Sequence, residues 1–191
     1  IHSVFKEPNG DNRFDNKTAE LMASKGVYVN PTLHVFRSQI WAMQKTMADK
    51  PENKEDILAL DIEKKEFERR VDDVNKLIEF GAKVITGSDS SWGDYQLGNT
   101  VYEVECLELA GLSRSKSIKS VTSESAVSIG VDQSVGTLEK GKEADILVLE
   151  KDPYDDIDNL WRVQDVFLGG TIIKRGSSDS LNLMRQFPPR N

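Results

Sequence analysis

Apolar residues recur at three- and four-residue spacing through the middle of the chain, which predicts helices with one face on a core. The pattern covers residues 37–80 and is interrupted at residues 49–53, around a Lys-Pro pair. Its second part carries an apolar stripe made of Ile57, Leu60, Phe67, Val71, Val74 and Ile78. We interpret this stripe as a core-facing seam with a solvated face behind it. A short coiled coil is the alternative, although Lys64 would lie in its seam.

Two short runs of β-branched residues, each followed by a strand-breaking residue, flank the long helical region. Residues 27–29 precede Pro31, and residues 83–86 precede Gly87. Runs of this kind are typical of buried strands that reach their C-terminal ends. A helix is predicted before each run, over residues 17–25 before the first and over the apolar stripe before the second. The alternation of helices and strands predicts an α/β fold class.

Asp89 follows the second of these runs, in the sequence Thr86-Gly87-Ser88-Asp89. In parallel α/β folds and barrels, catalytic side chains collect at the C-terminal ends of the strands. Asp89 is therefore the first candidate for chemistry in this chain. The local sequence also allows a solvated Asp that caps the strand end, so both interpretations stay open at this point.

The pattern changes near residue 134, where helical spacing gives way to short apolar runs. These runs predict strands, with Gly169-Gly170 as a hairpin turn, at residues 137–138, 146–149, 163–168 and 171–174. The domain prediction is accordingly a first part over residues 1–133, a small β subdomain over 134–175 and an irregular arm over 176–191.

Composition excludes several classes of function. The 191 residues carry a net charge of −7 at pH 7, whereas binding to nucleic acid requires clustered Lys and Arg. No apolar run approaches the roughly 18 residues that a membrane span needs. Cys106 is the only cysteine, so no internal disulfide is expected, and a buried thiol is a better interpretation than a nucleophile.

Several motifs stand in a recognisable order along the chain. Residues 136–149 read GTLEKGKEADILVL and are followed by Asp152-Pro153, while residues 110–113 read AGLS and residues 25–33 read KGVYVNPTL. In this order and spacing the motifs resemble the metal-dependent amidohydrolase superfamily, in particular its imidazolonepropionase-like and prolidase-like branch.

The resemblance implies the C-terminal part of a (β/α)₈ TIM barrel plus part of a small β-sandwich subdomain. A complete barrel takes roughly 250 residues, so the chain is expected to be the C-terminal part of a longer enzyme. The family's His-x-His pair on strand one and its bridging Lys or Glu are not found in these 191 residues.

The resemblance also implies a site for a divalent metal, first of all Zn²⁺, with one or two ions in the full enzyme. Asp89 matches the strand-eight Asp, a metal ligand that shuttles a proton, and His2 matches the strand-six ligand. His34, Trp92 and Tyr95 are the candidate contacts to substrate. A hydrogen-bonded structural histidine is the alternative for His34, and anchoring on the barrel rim is the alternative for the two aromatic residues.

The implied activity is metal-dependent hydrolysis of amide C–N bonds in non-peptide or dipeptide-like substrates, with metal-activated water attacking the carbonyl. The expected partner is a small-molecule amide or cyclic amide, with no nucleic acid and no membrane; the sequence allows a homo-oligomer and assigns no compartment. The alternative is a non-catalytic fragment or module that needs the missing N-terminal part or a partner chain. With two candidate ligands, the chain alone is expected to be inactive.

A competing motif is rejected. Gly136 and Gly141-Lys142 have the spacing of a phosphate-binding loop, but that motif continues with Ser or Thr and a helix. Here Glu143 follows, and a strand is predicted next. The segment is therefore predicted to be a turn between two strands.

Overall fold

The computed structural model describes residues 14–48, 53–89 and 100–174. The chain divides into two compact units, Ile1–Val121 and Thr122–Asn191. No helix in the described ranges combines the length and hydropathy that crossing a membrane requires.

The first unit alternates helices with two short strands, as the sequence pattern predicts. Its elements are α1 (Asn16–Ser24), β1 (Tyr28–Val29), α2 (Leu33–Ala48), α3 (Lys54–Glu79), β2 (Lys83–Val84), α4 (Thr100–Leu109) and α5 (Arg114–Ser120). The two strands pair in parallel, with Tyr28 opposite Lys83 and Val29 opposite Val84. The ladder continues where the Ile85 N–H donates to the Val29 carbonyl oxygen at 2.9 Å. Helices α2 and α3 form the connection that parallel strands require.

The helices that precede β1 and β2 begin and end in the same way. Helix α1 begins at a cap in which the Asp15 side chain accepts a hydrogen bond from the Lys17 N–H. Helix α3 begins at a cap in which the Asn53 side chain accepts one from the Glu55 N–H. These side chains satisfy N–H groups that lack partners inside the helix. Each helix ends close to a glycine with positive φ, two residues before its strand. Both strands therefore start from a defined helix end.

The core of the first unit consists of two clusters. One contains the buried residues Leu33, Val74, Val84, Cys106, Leu107, Ala110 and Leu112. The other contains Ala19, Met22, Val29 and Leu77. Burial of Cys106 agrees with its interpretation as a core thiol.

The long apolar stripe is core-facing only over its second half. Phe67, Val71 and Ile78 pack against the core, and Val74 is part of it. Ile57 is 45% exposed, so the prediction that the whole stripe faces the core is wrong at its start. The first helix of the region also begins earlier than predicted, at Leu33 rather than residue 37.

The second unit contains a short helix, α6 (Ser123–Ser128), and an antiparallel sheet. Its strands are β3 (Ile146–Leu149), β4 (Val163–Leu168) and β5 (Thr171–Ile172), in the order β3-β4-β5. Gly169-Gly170 forms the predicted hairpin turn, with both residues at positive φ. A 3₁₀ helix over Ile157–Trp161, which the sequence pattern did not indicate, precedes β4.

One predicted strand is wrong. Thr137-Leu138 lies in a bend rather than a strand. Leu138 is 77% exposed, so its apolar side chain contributes nothing to a sheet face. The surrounding segment is a series of turns, as predicted against the phosphate-loop interpretation, with Gly136 and Gly141 both at positive φ.

Candidate functional site

The C-terminal ends of β1 and β2 share an unusual backbone feature. Thr32, after β1, has φ 50°, and Asp89, after β2, has φ 45°. Within the described ranges these are the two non-glycine residues with positive φ. Such a conformation is uncommon for residues with a side chain, and for a β-branched threonine it is strained. Strained residues persist where their surroundings hold them, and they cluster at functional sites.

The two strand ends are in close contact through Asn30 and Gly87. A Cβ atom at Gly87 would lie 2.5 Å from Asn30 Cγ and closer still to the two polar atoms of the amide. No side chain fits at Gly87 unless Asn30 moves. Two polar atoms at this strand end, Asn30 Oδ1 and Thr32 Oγ1, are buried without a hydrogen-bond partner in the described part of the chain.

The β2 end is also held from the side of α5. The Thr86 N–H donates to the Ser120 carbonyl oxygen at 3.0 Å. The hydroxyl groups of the same two residues are 2.6 Å apart, and the Ser120 hydroxyl donates in turn to the Ser117 carbonyl oxygen. These hydrogen bonds therefore hold Thr86, the first residue of the segment that ends at Asp89, in place.

Asp89 is exposed at the end of this segment. Its carboxylate is a hard oxygen donor, which suits a divalent cation. In residues 14–48, 53–89 and 100–174, no group of three or more His, Cys, Asp or Glu side chains is arranged to hold a metal ion. The role of Asp89 as a metal ligand therefore stays a prediction. His2, the second predicted ligand, lies outside the described residues, as do Trp92 and Tyr95.

The start of α2 is bound by a buried acid that sequence reasoning missed. The Glu103 side chain, 0% exposed, accepts hydrogen bonds from the N–H groups of Leu33 at 2.9 Å and His34 at 2.6 Å. Burial raises the pKa of Glu103 to about 7, and the two N–H groups act in the opposite direction. Because Thr32 immediately precedes these donors, Glu103 also fixes the chain just beyond the β1 end.

His34 lies in the first turn of α2 and is 1% exposed. Its ring stacks on Tyr102 at a centroid distance of 4.6 Å and meets the edge of Trp41 at 5.2 Å. Its Nδ1 accepts from Arg37 Nε at 3.1 Å. Burial, reinforced by the Arg37 charge, lowers the pKa of His34 to about 2. The imidazole is therefore neutral, and its contact with substrate stays a prediction.

Arg37 links this aromatic group to α4. Its Nη2 donates to the Tyr102 carbonyl oxygen at 2.7 Å and to Glu105 Oε2 at 3.2 Å. Its guanidinium lies over the Trp41 ring at 4.7 Å. The sequence does carry an indication of this arrangement, because two acids stand among the apolar residues of VYEVECL at the start of α4. Acids in a helix that is apolar on every side are buried, and buried acids require partners.

Known proteins resemble this chain over much of its length. The family described as "Amidohydrolase family" matches residues 7–173. An imidazolonepropionase from Thermoplasma volcanium is 28% identical over 105 residues, which are 53% of this chain and 26% of that protein.

Solved structures also resemble the chain. A Xaa-Pro dipeptidase with bound methionine has a TM-score of 0.65 and 24% identity, over 84% of this chain and 38% of that one. The ochratoxinase of A. niger has a TM-score of 0.62 and 24% identity, over 83% and 34%. Molinate hydrolase has a TM-score of 0.61 and 18% identity, over 92% and 38%.

At these identities the structural likeness shows the fold, an α/β fold of the TIM-barrel type. The chain spans 26% of the length of the imidazolonepropionase and 38% of the length of the dipeptidase. The family resemblance predicted from the motifs is confirmed. The chain belongs to the Amidohydrolase family.

Proposed function

We propose that the chain is the C-terminal part of a metal-dependent hydrolase that cleaves a C–N bond in a small amide, a cyclic amide or a dipeptide-like substrate. The observation that carries the proposal is the position of Asp89, exposed and in a left-handed conformation just beyond the second of two parallel strands. In barrel enzymes this end of the strands holds the chemistry. Names such as Xaa-Pro dipeptidase among the similar proteins support the substrate class.

In this proposal residues 1–133 supply the last strands and helices of a TIM barrel, and residues 134–175 supply part of a β-sandwich subdomain. Asp89 and His2 contribute to holding the metal, and His34, Trp92 and Tyr95 contribute to binding the substrate. A divalent ion such as Zn²⁺ would lower the pKa of a bound water towards neutrality.

The chain's own contribution is proton transfer at Asp89. A carboxylate beside the reacting water accepts its proton and returns it to the leaving amine. The backbone supports this role, because Thr86 is fixed to Ser120 and Gly87 is packed against Asn30. Those two contacts limit where the carboxylate can lie.

Asp89→Asn in the full-length protein tests the proposal. Asn keeps the size and one oxygen but removes the charge and the basicity, so kcat/KM should fall by roughly 10²–10⁴-fold or more. The assay would use Xaa-Pro and other dipeptides and small cyclic amides as substrates, with Zn²⁺ or Mn²⁺ added. The thermal midpoint should hardly change, because Asp89 is exposed.

Ser88→Ala is the matched control, since it alters the neighbouring residue without removing a carboxylate. It should cost far less activity than Asp89→Asn. Activity of Asp89→Asn within about tenfold of wild type, with metal still bound, would return Asp89 to a strand-capping role.

A further inference from the structure

We propose that Asn30 is a positioning residue that holds the Gly87–Asp89 segment in the geometry its chemistry requires. The inference rests on the proposed function of Asp89 and adds a residue on the neighbouring strand. Asn30 immediately follows β1 and contacts the chain beyond β2. It would act through Gly87, without touching the reacting atoms.

A side chain at position 87 would overlap the Asn30 amide. The place where a Cβ of Gly87 would lie is filled by the Asn30 amide, whose Cγ is 2.5 Å from that point. Gly87 does not have a positive φ, so its backbone conformation is open to other residues. A residue with a Cβ at position 87 therefore has to displace the Asn30 side chain.

The polarity of Asn30 is not explained by hydrogen bonding in the described residues. Its Oδ1 is buried and has no partner there, which is unfavourable for folding. An unsatisfied buried group next to a strained segment is typical of a site in which geometry serves function.

The contact between Asn30 and Gly87 can also influence the position of Asp89. Thr86 is fixed by Ser120 on one side, and Asn30 restrains Gly87 from the other. Asp89 follows Gly87 by two residues and is held at φ 45°. When the restraint at Gly87 is removed or displaced, the chain is able to relax towards ordinary torsions, and the carboxylate moves.

A size-compensation experiment tests the inference. Gly87→Ala places a Cβ in the space of the Asn30 amide, Asn30→Ala removes the amide, and the double variant restores the space. In the full-length protein, Gly87→Ala should lower kcat by at least about tenfold, since small misplacements of reacting groups are costly. It should weaken Zn²⁺ binding, measured by competition with a chelator, by a similar factor, with KM within about threefold of wild type.

The double variant should recover at least about threefold in kcat and Zn²⁺ affinity over Gly87→Ala, because the collision is gone. Asn30→Ala alone should lower both by about threefold or more. This single variant keeps the inference testable should Gly87→Ala fail to fold.

The chain contains a matched control. A Cβ at Gly111 would lie 2.5 Å from Asn75 Nδ2, so the same kind of packing occurs at the end of α4. Asn75→Ala removes a hydrogen bond to the Ala110 carbonyl oxygen and should lower the thermal midpoint alone. If the Asn30 and Gly87 variants also change only the thermal midpoint, Asn30 is structural and the inference is overturned.

Three further outcomes are distinguishable. Absence of recovery in the double variant, with Gly87→Ala impaired, would show that Asn30 is not the residue through which Gly87 acts. If Asp89→Asn abolishes turnover while the Asn30 and Gly87 variants behave as wild type, the positioning role fails and the proposed function stands. If Asp89→Asn retains turnover, the proposed function fails and this inference with it.

Discussion

The two units of the chain differ in what they bury. In the described residues, the second unit buries one polar side chain, Asn159, whereas the first unit buries seven: Thr32, His34, Ser38, Glu103, Glu105, Ser117 and Ser120. The three strands of the second unit contain no buried residue, and two of their leucines lie in solvent, Leu147 49% and Leu168 61% exposed. Buried polar groups that are hydrogen-bonded fix geometry, because their partners lie in defined places. The hydrogen-bonded polar groups of the first unit therefore hold its segments in defined positions. The sheet of the second unit depends more on the backbone hydrogen bonds between its strands.

The largest difference should appear when a leucine is shortened in each unit. Leu107 is fully buried in the core of the first unit, so Leu107→Ala should lower the free energy of unfolding by about 2–5 kcal/mol. Leu147→Ala on the exposed sheet should change it by less than about 0.5 kcal/mol. Urea denaturation measures both values. Equal losses would contradict the comparison between the units.

Glu103→Ala should destabilise the protein by about 2 kcal/mol. The change leaves two buried N–H groups at the start of α2 without an acceptor, each costing roughly 1–3 kcal/mol, and part of this is offset because a buried carboxylate is removed. Glu103→Gln is the control, since it keeps the shape and one acceptor oxygen. A smaller loss for Ala than for Gln would show that the hydrogen bonds to Leu33 and His34 do not stabilise α2.

The stability of the first unit should depend on pH through two opposing groups. The raised pKa of Glu103 gives stability below about pH 4.5 that is lost as the pH rises through about 7. The lowered pKa of His34 gives stability above about pH 6.5 that is lost as the pH falls towards 2. Between about pH 4.5 and 6.5 the two effects oppose each other. The free energy of unfolding of the wild type should therefore change little through Glu103 and His34.

Glu103→Gln should remove one of the two effects. The His34 contribution then remains, and the free energy of unfolding should fall by up to about 1.4 kcal/mol for each pH unit below 6.5. Urea denaturation at several pH values from 4.5 to 7 gives the slope. The same slope in wild type and variant would show that Glu103 does not titrate in this range.

The parts of the fold that depend on local sequence could be predicted, and the parts that depend on distant partners could not. The helix and strand alternation of the first unit and the hairpin at Gly169-Gly170 follow from short patterns. Local periodicity does not predict the role of Glu103, because the N–H groups that it binds are about 70 residues away. Helical periodicity alone places an acid on the solvated face. Thr137-Leu138 was predicted as a strand because apolar character alone does not show whether a neighbouring strand exists to pair with it.

The candidate site divides in the same way. The strand-end position of Asp89 could be predicted from a local motif, since apolar runs and the following glycine are visible in the sequence. The positive φ of Thr32 and Asp89 and the contact between Asn30 and Gly87 depend on the pairing of β1 with β2. Two segments far apart in sequence create this geometry together, so neither segment alone predicts it.

The smallest expected effect concerns the turn of the second unit, where backbone conformation rather than packing sets the requirement. Gly141 has φ 97°, and a Cβ there would meet nothing within 4 Å, so steric crowding is excluded as a cause. Gly141→Val should still lower the free energy of unfolding by about 1 kcal/mol or more, because a β-branched residue is strained at positive φ. Lys140→Val is the control, since this neighbouring residue is exposed and its φ is not positive. Urea denaturation of the two variants separates strain from the loss of a surface polar group. Equal losses in both variants would mean that valine at position 141 adds no backbone strain. The turn would then tolerate valine at Gly141 as well as it does at the exposed neighbouring position.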